Sequence, residues 1–167
     1  MALELSTLRL VAEVKLYESW YRQLIEGSCI TKSDLSLVSI RPGAYVLWMK
    51  RDNKCLHLKV GIAGPRRKDG LMGRLRYHFN SNPGNTVLAR HMYADLDLAG
   101  ETGYDFKQRS KRQEFLDSHC FFKVIVLPSI TEDELKGFER YLENRTGPRY
   151  MGNVGGPYPR IKLGVCP

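Results

Sequence analysis

The sequence predicts an α+β fold in which a small, mainly antiparallel three-stranded sheet is flanked by helices, with an added N-terminal helix. Residues 43–49 are apolar and β-prone, turn-forming residues follow at 51–54, and residues 56–61 supply a second such run, which together indicate a β-hairpin. Residues 121–127 predict a third strand, closed by Pro128. Because 167 residues suit one compact core, we expect a single domain.

The helices are indicated by apolar spacing and by residues that end helices. From about residue 5 to residue 25, apolar residues recur at helical intervals, with Gly27 available as the stop. Two further helices are expected at about 71–79 and 86–96. The stretch 99–111 is polar and has the character of an insertion before the third strand.

The last predicted helix places one carboxylate at the edge of an apolar stripe. Thr131 and Glu134 form a capping box that begins this helix, and Gly147 ends it. At about 100° per residue, Glu139 falls on the flank of the stripe formed by Leu135, Phe138 and Leu142. A carboxylate beside buried surface requires a cation, a donor or a reaction. Helix geometry leaves two interpretations open, a metal ligand or an ion pair with a neighbouring Lys or Arg.

Arg74 and His78 lie one turn apart on the helix after the hairpin, so they share a face. A guanidinium can hold a phosphate with two parallel hydrogen bonds, and an imidazole can donate to another oxygen. The same spacing is common on solvated helix faces, so it does not by itself indicate function.

The charge balance favours a polyanionic partner such as nucleic acid. Lys and Arg number 26 against 18 Asp and Glu, a formal net charge of +8. Basic side chains could contact backbone phosphates, although such loops are often merely solvated. The candidates for DNA contact are Arg66, Arg67, Lys68, Arg76, Arg109, Lys111 and Arg112.

Four cysteines, Cys29, Cys55, Cys120 and Cys166, lie far apart and form no zinc-binding pattern. We expect them to be reduced, with Cys120 in the core. The sequence has neither a secretory signal nor an apolar run of about 20 residues that could span a bilayer. A cytoplasmic protein without membrane contact is therefore expected.

The hairpin carries two short motifs, Gly-Ala-Tyr at 43–45 and Lys-Val-Gly at 59–61, that resemble the paired signatures of the GIY-YIG nuclease family. The family pattern continues with a helix bearing Arg-x-x-x-His-Phe, which residues 74–79 match. It ends with a glutamate-bearing helix, which residues 138–142 resemble, and a loop containing Pro and Asn, which residues 147–150 and Asn153 resemble. The order and spacing of these motifs agree together.

The resemblance implies one domain over 1–167, divided into an N-terminal helical extension (1–40), a GIY-YIG-like catalytic core (41–153) and a C-terminal tail (154–167). It also implies a metal-dependent endonuclease that hydrolyses phosphodiester bonds in DNA. The implied catalytic residues are Tyr45, Lys59, Arg74, His78, Glu139 and Asn153.

The implied mechanism uses one divalent ion, Mg²⁺ or alternatively Mn²⁺, held by Glu139 against the phosphate and the leaving 3′ oxygen. Tyr45, assisted by Lys59, would take the proton of the attacking water, and Arg74 with His78 would hold the phosphate. Asn153 would position the site from the C-terminal loop. Lys59, if it faces Tyr45 across the hairpin, would favour the ionised phenol.

Lys59 stands where most members of the family have tyrosine, a variant known in some restriction enzymes of the family. A restriction-type enzyme is therefore favoured over a DNA-repair or structure-specific nuclease of the same family. The N-terminal helix and the insertion could serve dimerisation and base reading, which would allow a homodimer. An alternative of another class is a nucleic-acid-binding module that keeps the fold without catalysis.

Overall fold

A computed structural model describes residues 2–84, 86–152, 158, 159, 161 and 163–166. The helices are α1 (Ala2–Glu26), α2 (Gly70–Asn80), α3 (Val87–Ala94), α4 (Leu96–Thr102), α5 (Arg109–His119) and α6 (Glu132–Thr146), with a 3-10 helix at Lys32–Leu37. The strands are β1 (Gly43–Arg51), β2 (Lys54–Ala63), β3 (Cys120–Val126) and β4 (Gly164–Val165).

The strands form one antiparallel sheet in the order β3-β1-β2-β4. Tyr45, on the central strand β1, lies opposite Gly61 of β2 on one side and Val124 of β3 on the other. The β1–β2 register shifts between Leu47 and Trp48, as at a β-bulge. The α+β class, the hairpin and the antiparallel third strand are confirmed, and β4 is a short fourth strand that the sequence did not predict.

The two faces of β1 contribute to two different hydrophobic cores, because side chains alternate along a strand. Tyr45 and Leu47 belong to a core shared with α2, α3, α4 and α5. Ala44 and Val46 belong to a core shared with α1 and α6. The sheet therefore lies between α2, which carries Arg74, and most of the apolar face of α6, which carries Glu139.

Both helices that carry predicted site residues have defined ends. The Thr131 hydroxyl accepts from the Glu134 N–H at 3.3 Å, and the Glu134 carboxylate accepts from the Thr131 N–H at 2.9 Å, so the predicted capping box is confirmed. Helix α6 ends at Gly147, whose φ of 53° is left-handed. Helix α2 ends at Ser81, which adopts φ 51° although it is not glycine.

Helix α1 packs against α6 through aromatic side chains. Tyr17 and Trp20 contact Phe138 with ring centroids 5.7 and 5.2 Å apart. The Tyr141 hydroxyl donates to the Glu18 carboxylate. The N-terminal helix is thus joined to the helix that bears Glu139.

The region between α2 and β3 is more helical than predicted. The expected helix over 86–96 is interrupted at Asp95, which begins α4 by accepting from the Leu98 N–H at 3.0 Å. Asp95 is 1% exposed, and its carboxylate accepts from the Arg149 guanidinium and the Tyr150 hydroxyl. The expected insertion over 99–111 overlaps α4 and the first turn of α5. Because Asp95 pairs with Arg149, which is 54 residues later, local periodicity could not predict the break between α3 and α4.

The expectation of four reduced cysteines is wrong for one pair. Cys55 and Cys166 form a disulfide with Cα atoms 4.9 Å apart. Pairing of β4 with β2 brings these residues together across a sequence separation of 111. Cys120 is buried in the core, as predicted, and Cys29 is exposed.

Among the described residues, none of the helices combines the length and the apolar character that crossing a bilayer requires.

Candidate active site

Four elements bring five of the six predicted catalytic residues together. Tyr45 comes from β1, Lys59 from β2, Arg74 and His78 from α2, and Glu139 from α6. Their side chains interact electrostatically with one another, and Tyr45 is hydrogen-bonded to His78. We call these five residues the candidate site. Asn153 lies outside the described residues.

Tyr45 and His78 form the buried floor of the candidate site. The Tyr45 hydroxyl lies 2.6 Å from His78 Nε2, and the two residues are 0% and 1% exposed. Phe122 packs against both rings. A Cβ atom at Gly61 would lie 2.2 Å from the Tyr45 hydroxyl, so the phenol occupies space that only glycine leaves free.

Burial keeps both members of this pair neutral at pH 7. It raises the pKa of Tyr45, an effect that the nearby Arg74 charge opposes. It lowers the pKa of His78 well below the usual range, and the charges of Arg74 and Lys59 lower it further. A neutral phenol without access to solvent is poorly placed to take a proton from water.

Arg74 interacts electrostatically with each of the other four residues of the candidate site. The pKa of Arg74 is raised, chiefly by Tyr45, with a further contribution from Glu139. Its Nε atom is buried and has no hydrogen-bond partner in the part of the chain that the structure describes. An unpaired buried donor on a half-buried guanidinium suits the binding of an anionic oxygen.

Lys59 of β2 and Glu139 of α6 interact electrostatically. Burial lowers the pKa of Lys59, although the Glu139 charge opposes this. Burial also raises the pKa of Glu139, Glu143 raises it further, and Lys59 and Arg74 oppose the shift. No direct ion pair to Glu139 occurs among the described residues, so the carboxylate is desolvated without a bonded cation. Within the described ranges, the expected ion pair of Glu139 with a neighbouring Lys or Arg is therefore not found.

The donor set at Glu139 limits which metal would fit. Within the described ranges, no group of three or more His, Cys, Asp or Glu is arranged to hold a metal ion. Mg²⁺ is compatible with this arrangement, because it commonly keeps several waters and takes one or two carboxylates together with phosphate oxygens. Zinc, which takes three or four protein ligands, does not fit Glu139 alone.

Two sequence-based roles differ from the geometry. His78 was expected to donate to a phosphate, but its side chain is buried beneath the surface and bonded to Tyr45. Lys59 was expected to act on the Tyr45 phenol, whereas the principal cations near that hydroxyl are Arg74 and Arg67. The residue pattern identified the members of the cluster but not which of them reaches solvent.

Six of the seven predicted DNA contacts fall into three groups, and the seventh, Arg67, is half-buried and paired with Asp69. Arg112 is 2% exposed and donates to the carbonyls of Phe106 and Ser81, so it is a core residue and we withdraw it as a phosphate contact. Arg109 donates to the Asn80 carbonyl at 3.1 Å, and Lys111 pairs with Glu114 at 2.8 Å. The exposed basic residues on the turn before α2 and on α2 itself are Arg66, Lys68 and Arg76.

Sequence reasoning missed two charged residues near the candidate site. Glu143, which was not among the predicted site residues, is half-buried, and its charge acts on both Glu139 and Lys59. Its position four residues after Glu139 was the available signal. Arg67 was assigned only a backbone contact, but its charge also reaches Tyr45 and His78.

No protein-family model, curated protein or solved structure matches this chain. A function must therefore be inferred from the chemistry of the site itself. The candidate site combines a guanidinium with a free donor, an amine of lowered pKa and a desolvated carboxylate. Together these groups can bind an anion, accept a proton and hold a cation.

Proposed function

We propose that this chain is a metal-dependent endonuclease that hydrolyses phosphodiester bonds in DNA. The observation that carries the proposal is the convergence of Lys59, Arg74 and Glu139 over the buried Tyr45–His78 pair. Glu139 would repel a phosphate bound at Arg74 unless a cation lay between them. A site that only bound nucleic acid would have no use for this carboxylate, whereas metal-assisted hydrolysis requires it.

In the proposed reaction, Arg74 binds the non-bridging oxygens of the scissile phosphate and stabilises the charge that develops on them. Because its neighbours Tyr45 and His78 are neutral, neither occupies the guanidinium with an ion pair that would compete with the phosphate. Glu139 would hold Mg²⁺ or Mn²⁺, which when bound supplies charge neutralisation at the phosphate and at the leaving 3′ oxygen.

Lys59 is the better candidate for general base. Its side chain is half-buried, whereas that of Tyr45 is 0% exposed and engaged with His78. A lowered pKa increases the fraction of neutral amine that can accept a proton from the attacking water. Tyr45 and His78 then act as the support that positions Arg74.

DNA would approach over α2 and the turn before it. The exposed residues Arg66, Lys68 and Arg76 lie on either side of Arg74 in the sequence. Backbone phosphate contacts there supply affinity that falls with salt. A restriction-type enzyme that could act as a homodimer remains our preferred class, on the basis of Lys59 at its motif position. A repair or structure-specific nuclease would use the same residues on a different substrate.

The test is nicking of supercoiled plasmid in Mg²⁺ or Mn²⁺, with and without EDTA. We expect EDTA and Glu139→Gln each to abolish nicking, because both remove the cation from the site. Asp133→Asn, which removes an exposed carboxylate from the same helix, is the matched control and should cut normally. Undiminished cutting by Glu139→Gln would exclude Glu139 as the metal ligand.

The complete burial of Tyr45 and His78 favours a second candidate function, a nucleic-acid-binding module without catalysis, because a buried pair can be purely structural. Binding of a labelled duplex measured by anisotropy separates the two. Affinity that persists in EDTA, with no nicking of plasmid, flap or branched DNA in Mg²⁺ or Mn²⁺, would favour the binding module. Mapping the cut ends would distinguish a site-specific enzyme from a structure-specific one.

A further inference from the structure

Arg67 is held in a fixed position on the turn between β2 and α2. Its N–H donates to the Gly64 carbonyl at 3.1 Å, and its own carbonyl accepts from the Gly70 N–H at 3.2 Å. Two successive turn hydrogen bonds thus fix the backbone on both sides of this residue. The adjacent Arg66 side chain is exposed.

The Arg67 guanidinium is held from two directions. Asp69 Oδ1 lies 2.7 Å from Arg67 Nε, and Arg67 Nη2 donates to Asp69 Oδ2 at 3.1 Å. The guanidinium carbon lies 5.1 Å from the centre of the Tyr77 ring, within the range of a cation–π contact. We call the pairing with Asp69 the Arg67 fork; only Nη2 is hydrogen-bonded in it, and both the buried Nε and Nη1 have no hydrogen-bond partner among the described residues.

Asp69 can take this position because position 73 has no side chain. A Cβ atom at Gly73 would lie 1.9 Å from Asp69 Oδ2 and 2.4 Å from the Asp69 Cβ. Alanine would be the better residue for a helix interior on propensity alone, by about 1 kcal/mol. The glycine is therefore explained by the close approach of the aspartate that holds Arg67.

The position of Tyr77 places the Arg67 guanidinium next to the candidate site. Tyr77 follows Arg74 by three residues on α2, so the two share a helix face, and Tyr77 directly precedes His78. The positive charge of Arg67 lowers the pKa of both Tyr45 and His78, in agreement with this placement. The Arg67 side chain is 30% exposed, so it is accessible from solvent.

We propose that Arg67 is a second phosphate-binding guanidinium of the candidate site, with Asp69 as its positioning residue. This inference rests on the proposed nuclease function. Arg74 would hold the scissile phosphate from within the site, and Arg67 would direct Nη1 to the same phosphate from the solvent side. Because Asp69 and Tyr77 fix the guanidinium in advance, little reorganisation accompanies binding, which makes the charge effective in the transition state.

Arg67→Ala and Arg66→Ala form a matched pair that tests the proposal. Cleavage would be measured in a single turnover at saturating DNA, and affinity by anisotropy of a labelled duplex in Ca²⁺. We expect Arg67→Ala to slow the chemical step by about 100-fold, as the loss of a transition-state donor does. Arg66→Ala should instead weaken binding and reduce the salt slope by about one, because it removes one backbone phosphate contact.

Asp69→Asn distinguishes the role of Asp69 in positioning Arg67 from the effect of its negative charge on DNA binding. Removing a negative charge near bound DNA should tighten binding, yet release of the Arg67 fork should slow the chemical step by about tenfold. Gly73→Ala should reproduce this slower step, because its Cβ displaces Asp69. Thermal unfolding of each variant identifies any that fails to fold, and Arg67→Lys, which keeps charge without the fork, should recover only part of the rate.

The outcomes distinguish this inference from the proposed function. Equal saturated rates for Arg67→Ala and the wild type would overturn the role of Arg67 while leaving the nuclease intact. A folded wild-type chain that cuts no DNA in Mg²⁺ or Mn²⁺ would overturn the nuclease proposal and the role of Arg67 together. A rate that stays unchanged in Asp69→Asn would remove only the positioning role of Asp69.

Discussion

Replacement of Tyr45 by Phe removes one hydroxyl and leaves His78 with no hydrogen bond to either ring nitrogen. His78 Nδ1 already has no partner among the described residues, and Nε2 would lose the bond of 2.6 Å. Because the two residues are 0% and 1% exposed, water cannot take the place of the phenol without opening the core. A buried polar group left unpaired costs about 1–3 kcal/mol.

This cost corresponds to a measurable shift in the unfolding temperature. For 167 residues the entropy of unfolding is about 0.35 kcal/mol/K, so 1 kcal/mol lowers Tm by about 3 °C. We therefore expect Tyr45→Phe to lower Tm by about 3–9 °C in a thermal melt followed by circular dichroism.

The chain contains a matched control for this measurement. The Tyr104 hydroxyl lies 3.1 Å from His119 Nε2, but both residues are only partly buried, so water can replace the hydroxyl. Tyr104→Phe should therefore lower Tm by less than Tyr45→Phe. Equal shifts in the two variants would refute the interpretation of Tyr45 and His78 as a solvent-excluded pair.

The same variant tests which residue is the general base. If Tyr45 is a support, Tyr45→Phe should keep the single-turnover rate within about tenfold of the wild type, whereas Lys59→Met should lose about 100-fold or more. A loss in Tyr45→Phe as large as that in Lys59→Met would return the role of base to the phenol.

Three further variants test other features. Gly61→Ala should destabilise the fold by about 1–3 kcal/mol, because its Cβ would lie 2.2 Å from the Tyr45 hydroxyl. Its control is Gly100→Ala, which should cost no stability because a Cβ there meets nothing within 4 Å. Equal effects of the two variants in denaturant titrations would contradict this reasoning. The pKa of Glu139 is raised in the folded state, so its contribution to stability is present below the ordinary carboxyl pKa and is lost as pH rises through the folded value. Glu139→Gln should consequently gain stability relative to the wild type as pH rises above the ordinary carboxyl pKa, and a difference that does not change with pH would exclude the shift. Cys166→Ser should lower the free energy of unfolding by about 2–4 kcal/mol, and a dithiol reductant should lower wild-type stability by a similar amount but leave the variant unaffected.

Features that depend on neighbours in sequence could be predicted. The hairpin followed from two β-prone runs around turn residues, and the start of α6 followed from Thr131 and Glu134. The glutamate on the flank of the α6 stripe is half-buried, as the helical wheel indicated. In each case the interaction that determines the structure lies within a few residues.

Features that depend on distant partners could not be predicted. Arg112 looks like a member of a basic surface cluster, yet the Ser81 carbonyl at the end of α2 accepts from it in the core. Asp95 interrupts a helical pattern because Arg149, 54 residues later, pairs with it. His78 shares a face with Arg74 as expected, but only the approach of Tyr45 from the sheet decides that the imidazole faces inward.

The disulfide between Cys55 and Cys166 closes residues 55–166 into a covalent ring. That ring contains Lys59, Arg74 and Glu139, while Tyr45 belongs to the strand outside it that inserts between β3 and β2. A protease that cuts the exposed peptide after Arg66 or Lys68 would open the ring without dividing the molecule. The nicked chain would migrate at full mass on a non-reducing gel and as two fragments after reduction. Lys59, Arg74 and Glu139 would thus remain covalently connected through the disulfide after a peptide bond between Lys59 and Arg74 had been cut.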